Sequence, residues 1–199
     1  MSYIDFNDMQ IDALREVANI GAGNAATALS QLLQMKIDMT VPSVNIDKFN
    51  EIFNKLDGEK LAVGILVRVL CDIPGNILFI FDKSAAVNMI NKLLKKEGNQ
   101  IDEFGNSVLC EIGNIISSSF INAIAKFTNL NILPSVPAIN YDMVGAILSS
   151  TFIESNQFDD FVLDIEANFF QENKKIEGHF YYIPKPGSLE KILNSVGLN

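Results

Sequence analysis

Hydrophobic residues recur every three or four positions in two long stretches of the chain, which is the pattern of an amphipathic helix. Residues 8–34 predict one long helix and residues 102–126 a second, each with one buried and one solvent-facing side. The positions predicted to be buried are Ile11, Leu14, Ala18, Ala22, Ala25, Leu29 and Leu32 in the first helix, and Val108, Ile112, Ile115, Ile116, Ala123 and Phe127 in the second.

Each long helix is followed by the same order of shorter elements. In the first half we predict a strand at 35–46, a helix at 47–56 capped by Asp47, strands at 60–70 and 77–81 around a turn at 72–76, and a helix from Asp82 or Ser84 to Leu94. The second half predicts a strand at 132–139, a short helix or irregular segment at 141–148, strands at 161–170 and 176–183, and a helix at 188–196.

This order predicts the fold class. We expect one α/β domain, residues 1–199, with two pseudo-symmetric halves at about 8–98 and 102–199. Its strands are pooled into one mostly antiparallel sheet, and the two long helices lie on the surface.

A polar stripe occurs once in each long helix. Residues at i, i+4 and i+7 share one helix face, and these positions hold Asp12, Glu16 and Asn19 in the first helix and Ser107, Glu111 and Asn114 in the second. A proline follows each asparagine at the same distance, Pro42 after Asn19 and Pro137 after Asn114 (42 − 19 and 137 − 114 are both 23). Every member of the second set lies 95 residues after its counterpart (111 − 16, 114 − 19, 137 − 42), which indicates an internal repeat.

Polar residues at helical spacing usually mark only the solvated side of a helix. Asparagine is a mediocre helix former, however, and Lys, Glu or Gln would fill a merely solvated position more favourably. Its presence at the same register in both helices therefore points to a role for the carboxamide. The two prolines are expected to shape the following strand, at a sheet edge or a bulge.

The duplicated motif, with Asn-Ile-Gly-Ala-Gly-Asn-Ala-Ala at 19–26, resembles the CheC family of chemotaxis phosphatases in the CheC/CheX/FliY superfamily. The resemblance covers essentially the whole chain. It implies hydrolysis of the aspartyl phosphate on the response regulator CheY, with Glu16 and Asn19, and Glu111 and Asn114, as active-site residues. It also implies that the protein has no cofactor of its own, that the regulator supplies Mg²⁺, and that the receptor deamidase CheD is a further partner.

The implied chemistry suits these side chains. An Asn oxygen can accept a hydrogen bond from an attacking water while its NH₂ donates to a phosphoryl oxygen. By family analogy the glutamates engage a lysine of the regulator. A general-base role is less attractive, because an exposed carboxylate with a pKa near 4 is a poor base at pH 7. Asp12 and Ser107 have supporting roles or are ordinary surface residues.

Two other functions compete with this interpretation. The first is a non-catalytic flagellar-switch or regulator-docking module of the same fold, although the chain ends soon after the predicted closing helix, which favours a stand-alone enzyme. The second is nucleotide binding, because residues 21–26 fit the G-x-G-x-x-A fingerprint. That fingerprint requires a strand before the glycines, and here a helix already runs through them.

The glycines also distinguish the two repeats. Gly21 and Gly23 each cost a helix roughly 1 kcal/mol relative to Ala, so we expect either close approach of another helix or space for a partner. The 95-residue offset places Ile116, Ser118 and Ser119 at the positions of Gly21, Gly23 and Asn24. Whether both sites are equally active stays open.

Composition excludes several classes of function. A net charge of −9 and a pI near 4.6 argue against nucleic-acid binding. The single histidine, His179, excludes His-based metal clusters and leaves a catalytic triad unsupported.

Location is predicted from the cysteines and the apolar segments. Cys71 and Cys110 are expected to be buried free thiols in a reducing compartment. No signal peptide is visible, and the most membrane-like segment, 61–81, is interrupted by Arg68, Asp72 and Pro74. The sequence predicts a cytoplasmic protein without a membrane span.

Overall fold

A computed structural model describes residues 6–155, 161–171, 174–176 and 178–198. The helices are α1 (Asp8–Leu33), α2 (Phe49–Lys55), α3 (Lys83–Leu94), α4 (Glu103–Thr128), α5 (Val144–Ser155) and α6 (Ser188–Ser195). The strands are β1 (Ile37–Lys48), β2 (Leu61–Cys71), β3 (Gly75–Asp82), β4 (Ile132–Pro134), β5 (Ala138–Met143), β6 (Phe161–Gln171), β7 (Lys174–Ile176) and β8 (Gly178–Pro184).

The strands form one sheet in which the two halves exchange partners. Its order is β1-β6-β8-β3-β2-β4, with β5 also beside β2 and β7 beside β6, and every described pair is antiparallel. Strand β1 of the first half therefore pairs with β6 of the second half, and β4 and β5 of the second half pair with β2 of the first half. A pseudo-twofold axis passes between β3 and β8, where Phe79 pairs with Phe180 and their rings stack with centroids 4.8 Å apart. The predicted fold class is confirmed.

Both faces of the central strands are covered. Along β3, Ile77, Phe79 and Phe81 point into the core beneath α1 and α4, whereas Leu78 and Ile80 point into a second core beneath α2 and α5. Side chains alternate between the faces of a strand, so burial of both sets requires helices on both sides. The sheet thus forms a rigid base for α1 and α4.

Helices α1 and α4 have equal lengths of 26 residues and equivalent ends. Asn7 and Asp102 are the N-caps, and each side chain accepts a hydrogen bond from the backbone N–H three residues later, at 3.0 and 2.8 Å. Gln34 and Asn129 are the C-caps, in left-handed conformation with φ of 52° and 56°. Both pairs of caps differ by 95 residues (102 − 7 and 129 − 34), so the repeat extends to the helix ends.

Most of the predicted buried face is confirmed. Leu14, Ala18, Ala22, Ala25, Leu29, Ile112 and Ile116 are buried, and Ile11, Leu32, Val108, Ile115 and Ala123 are half-buried. The prediction for Phe127 is wrong, because this side chain is 50% exposed. The buried face of α4 instead passes from Ile124 to Thr128, whose hydroxyl donates to the Ile124 carbonyl at 2.7 Å.

The two motif prolines mark interruptions of strands. The register between β1 and β6 shifts between Thr40 and Ser43, so the predicted irregularity at Pro42 is confirmed. The single strand predicted at 132–139 is wrong, because the chain forms two short strands separated by residues 135–137. Pro134 and Pro137 lack the N–H that a continuous ladder requires.

Two helix starts also differ from prediction. Asp47 does not cap α2 but lies in β1, and the first turn of α2 is closed by Glu51, which accepts from the backbone N–H of Lys48 at 3.1 Å. Residues 141–143 extend β5, so the helix predicted at 141–148 begins later and runs to residue 155.

The cysteines are less buried than predicted. Cys71 is exposed at the end of β2, where a φ of 74° turns the chain toward β3, and Cys110 is half-buried. Both are free thiols. Apolar neighbours in the sequence did not imply burial here, because Cys71 is the last residue of β2 and the backbone turns there.

Helix α4 is the one helix in the described part of the chain that is long and apolar enough to cross a membrane. Its buried residues, including Leu109, Ile112 and Phe120, pack into the core beneath the helix pair. Packing in the core of a folded domain accounts for this apolar composition.

A carboxylate pair beside Lys55 makes stability depend on pH. Lys55 Nζ lies 2.6 Å from Asp47 Oδ2 and 3.6 Å from Asp164 Oδ2. Burial, with a hydrogen bond to Asp47, raises the pKa of Asp164 to about 6. An unfolded aspartate has a pKa of about 3.9, so between these values the folded state holds a proton that the unfolded chain has lost, and stability falls as pH rises.

We expect Asp164→Asn to flatten this pH dependence, since an amide does not titrate. Urea unfolding at about pH 4 and about pH 6.5 measures the change for the parent chain and the variant. An equal loss of stability in both proteins would show that another group is responsible.

Candidate functional site

The helices that carry the polar stripes pack directly against each other. A Cβ on Gly21 of α1 would lie 2.5 Å from the ring of Phe120 on α4, so only glycine permits this approach. A small apolar cavity of about 30 Å³ lies between Leu14, Val17 and Ala18 of α1 and Phe120, Ile121 and Ile124 of α4, together with residues of the sheet. The N-terminal half of α1 therefore lies beside the C-terminal half of α4, and the helices run antiparallel.

The first stripe lies on the outer side of α1. Glu16 is exposed and Asn19 is half-buried, one turn apart on the same face. Asp12, at the start of the stripe, forms an ion pair with Arg15 at 2.8 Å. This contact lies within the helix, and the supporting role of Asp12 stays a prediction.

The second stripe has an equivalent position on α4. Glu111 and Asn114 are both exposed, and the Ser107 hydroxyl donates to the Glu103 carbonyl at 3.1 Å within its own helix. The Ser118 hydroxyl lies 3.5 Å from Asn114 Oδ1, a long hydrogen bond for which the first repeat has no equivalent, because Gly23 occupies that position. The two carboxamides therefore have different surroundings.

Close packing beneath the second stripe fixes its height above the sheet. A Cβ on Gly113 would lie 2.5 Å from Ile65 Cγ2 of β2 and 3.4 Å from Pro137 Cβ. Pro137 is buried. The motif proline thus packs beside the residue preceding Asn114, which agrees with its predicted role in shaping the strand.

The antiparallel arrangement separates the two asparagines. Gly21 faces Phe120, so Asn19 lies opposite about Asn122 of α4. Asn114 is eight residues before Asn122 on the same helix (122 − 114). At 1.5 Å per residue this is about 12 Å along the helix axes. Two groups this far apart cannot contact one phosphoryl group, so the chain carries two separate candidate sites.

Each site offers one carboxylate and one carboxamide. These groups can accept and donate hydrogen bonds and can attract a cation, but the described residues include no group of three or more His, Cys, Asp or Glu placed to hold a metal. The arrangement suits a site that enters a partner's pocket and orients groups there.

Some residues near the sites were not predicted from the sequence. The Tyr141 hydroxyl of β5 donates to Asn106 Oδ1 at the start of α4, and burial raises the pKa of Tyr141 to about 12, so it remains a donor at neutral pH. Met9 and Phe104 are exposed one turn before the stripes. Their separation is again 95 residues (104 − 9), a signal that the sequence contained.

The serine run of α4 has a structural role. Ser117 is fully buried, and its hydroxyl donates to the Gly113 carbonyl at 2.7 Å, so a small residue packs at this contact. His179 is exposed beside Tyr181, with ring centroids 6.2 Å apart. Neither residue belongs to a stripe.

The fold and the paired helices define a class of α/β proteins in which an acid-and-amide helix is duplicated above an antiparallel sheet with pseudo-twofold symmetry. The CheC-like family model matches the chain twice, at residues 9–46 and 104–141. These segments are also 95 residues apart (104 − 9 and 141 − 46).

Known proteins are similar to the chain over nearly its whole length. The chain is 34% identical over 196 residues to the CheY-P phosphatase CheC of Bacillus subtilis, covering 94% of each protein. Its fold is similar to that of Thermotoga maritima FliY, with a TM-score of 0.81 and 20% identity over 96% of this chain and 97% of that one. The FliM middle domain from H. pylori is similar with a TM-score of 0.67 and 14% identity, over 96% and 99%. The chain belongs to the CheC-like family.

Proposed function

We propose that the chain is a phosphatase that hydrolyses the aspartyl phosphate of phosphorylated CheY. The observation that carries the proposal is the pair of solvent-accessible acid-and-amide sites at equivalent positions of α1 and α4. The relative named CheY-P phosphatase CheC, similar along 94% of its length, supports the same reaction.

In the proposed mechanism the carboxamides position the attacking water. Hydrolysis of an acyl phosphate passes through a loose, in-line transition state, so catalysis depends mainly on positioning and on neutralising charge. Asn19 or Asn114 enters the regulator's pocket, accepts a hydrogen bond from the attacking water and donates one to a phosphoryl oxygen. The phosphoryl group leaves the aspartate as inorganic phosphate, and the aspartate recovers its carboxylate. The Mg²⁺ in this scheme belongs to the regulator.

The glutamates hold the helix in place in this scheme. Glu16 and Glu111 lie one turn before the asparagines, so each can pair with a lysine beside the phosphorylated aspartate of the regulator. An ion pair that is removed from water at an interface contributes more than one on an open surface.

We expect Glu16→Gln combined with Glu111→Gln to raise KM for phosphorylated CheY by roughly tenfold, because the charge is lost while the shape is kept. Steady-state phosphate release at varied regulator concentration measures this effect. Asp57→Asn combined with Glu59→Gln, at two exposed acids in the loop before β2, makes the same change of net charge away from the stripes and is expected to leave KM unchanged. An equal rise in both variants would mean that net charge alone is responsible.

The proposal as a whole is tested by the lifetime of the phosphorylated regulator. The parent chain should accelerate loss of phosphate at substoichiometric concentration and turn over many regulator molecules. A non-catalytic docking module would bind the phosphorylated regulator and leave its lifetime unchanged or prolong it. The fold does not decide between these functions, since a fold hosts sites of different activity.

Further partners and location follow from the same proposal. The receptor deamidase CheD is a proposed partner by family resemblance, and an enzyme acting on CheY works in the cytoplasm. The net charge of −9 gives no support to a nucleic-acid partner.

A further inference from the structure

Two large hydrophobic side chains are exposed at equivalent positions of the motif helices. Met9 of α1 is 66% exposed and Phe104 of α4 is 73% exposed. Single exposed hydrophobic residues are common on protein surfaces and need no explanation. These two differ because each occupies the same register of the repeat, at the beginning of a predicted site.

The helical geometry places both on the site faces. Met9 precedes Asp12, Glu16 and Asn19 by three, seven and ten residues, and at 100° per residue all four positions fall within an arc of about 80°. Phe104 has the same relation to the second stripe. Along the axis, ten residues extend about 15 Å, so each hydrophobic side chain lies on the same strip of surface as its asparagine.

Local structure does not explain these residues. Helix N-termini favour acidic and small polar side chains, and Phe is a weaker helix former than Glu or Gln. Neither side chain belongs to the cores beneath the helices. The first turn of each helix is already fixed by its N-cap, Asn7 or Asp102.

We infer that Met9 and Phe104 are apolar docking residues for the phosphorylated regulator, each extending its site by one turn toward the helix N-terminus. This inference rests on the proposed function. A protein interface buries about 800 Å² on each partner, which is a patch of roughly 15 Å radius, so a side chain about 15 Å from the inserted asparagine falls at its border. This docking role requires that the regulator present apolar side chains beside its phosphorylated aspartate.

The test is a double variant, Met9→Ala with Phe104→Ala. We expect KM for phosphorylated CheY to rise about tenfold while kcat stays within about twofold, because the residues bind the regulator and do not touch the reacting atoms. Affinity for CheY loaded with beryllium fluoride, measured by titration, should fall by a similar factor. Phe104→Leu with Met9→Leu keeps apolar side chains and should restore KM to within about threefold.

Ile153→Ala is the matched control. Ile153 is 77% exposed on α5, which covers the other face of the sheet, so its replacement should change neither KM nor affinity. Thermal unfolding of all variants checks that the fold is kept. An unchanged KM in the Met9/Phe104 variant, or a fall in kcat alone, would overturn the inference.

The binding measurement separates this inference from the proposed function. If the parent chain fails to accelerate phosphate loss, the proposed function is wrong. The docking role then stands only if the parent chain binds the loaded regulator and the double variant binds it less tightly. If the parent chain is active and both proteins bind equally, the docking role alone is wrong.

Discussion

Replacing both Asn19 and Asn114 by alanine is expected to abolish the acceleration of phosphate loss from CheY. Each carboxamide is proposed to orient the attacking water and to donate to the phosphoryl group. Removal of a single preorganised donor from an enzyme typically lowers kcat by 10²–10³-fold. With both sites altered, the phosphorylated regulator should decay at close to its intrinsic rate, measured by phosphate release at saturating regulator.

Asn24→Ala is the matched control for this variant. Asn24 is an exposed asparagine on α1, and its side-chain amide donates to the Ile20 carbonyl at 2.8 Å. It lies five residues after Asn19, about 140° around the helix, so it faces away from the site. This variant should keep the parent activity. Normal turnover by the Asn19→Ala, Asn114→Ala double variant with an intact fold would disprove the mechanism.

Single variants at each asparagine report how the two sites divide the activity. The two asparagines lie about 12 Å apart along an antiparallel helix pair and cannot contact the same phosphoryl group, so each single variant should keep the activity of the other site. The amide oxygen of Asn114 is already near the Ser118 hydroxyl, at 3.5 Å, whereas Gly23 leaves the equivalent position beside Asn19 without a side chain. This contact is the structural reason to expect unequal contributions.

The elements of the fold were predictable where a single physical signal dominated. The 3.6-residue period of hydrophobic residues predicted α1 and α4 almost to their ends. The turn between β2 and β3 was indicated by Asp72, Pro74 and Gly75. The sequence did not show that β1 pairs with β6, or β5 with β2. Hydrophobic alternation determines which face of a strand is buried, but it does not specify the neighbouring strand.

The candidate sites were predictable only in part. The repeat identified Glu16, Asn19, Glu111 and Asn114 because polar residues at helical spacing stand out against an apolar pattern. Exposed hydrophobic residues such as Met9 and Phe104 do not stand out in this way, since hydrophobic residues in a helical pattern are normally expected to be buried. The same bias assigned Phe127 to the core, although half of its surface is exposed.

The two glycines of α1 provide a test of the packing that holds the sites. Gly21 faces the ring of Phe120, which in turn packs edge-on against Phe180 with centroids 4.7 Å apart. A side chain at Gly21 must displace a buried aromatic ring that the sheet already holds. At Gly23, no described atom lies within 4 Å of the Cβ position.

We expect Gly21→Val to lower the free energy of unfolding by roughly 2 to 3 kcal/mol, because overpacking of a core typically costs 1–3 kcal/mol and this contact is among the tightest in the chain. Gly23→Val should change it by less than about 0.5 kcal/mol, since Gly and Val differ little in helix propensity. Urea unfolding of the two variants measures the difference. The substitutions lie two residues apart on one helix, so helix propensity affects both alike and only the contact with Phe120 distinguishes them. Equal stability of the two variants would mean that α1 and α4 separate easily, and the fixed spacing of the two sites would then lack its structural basis.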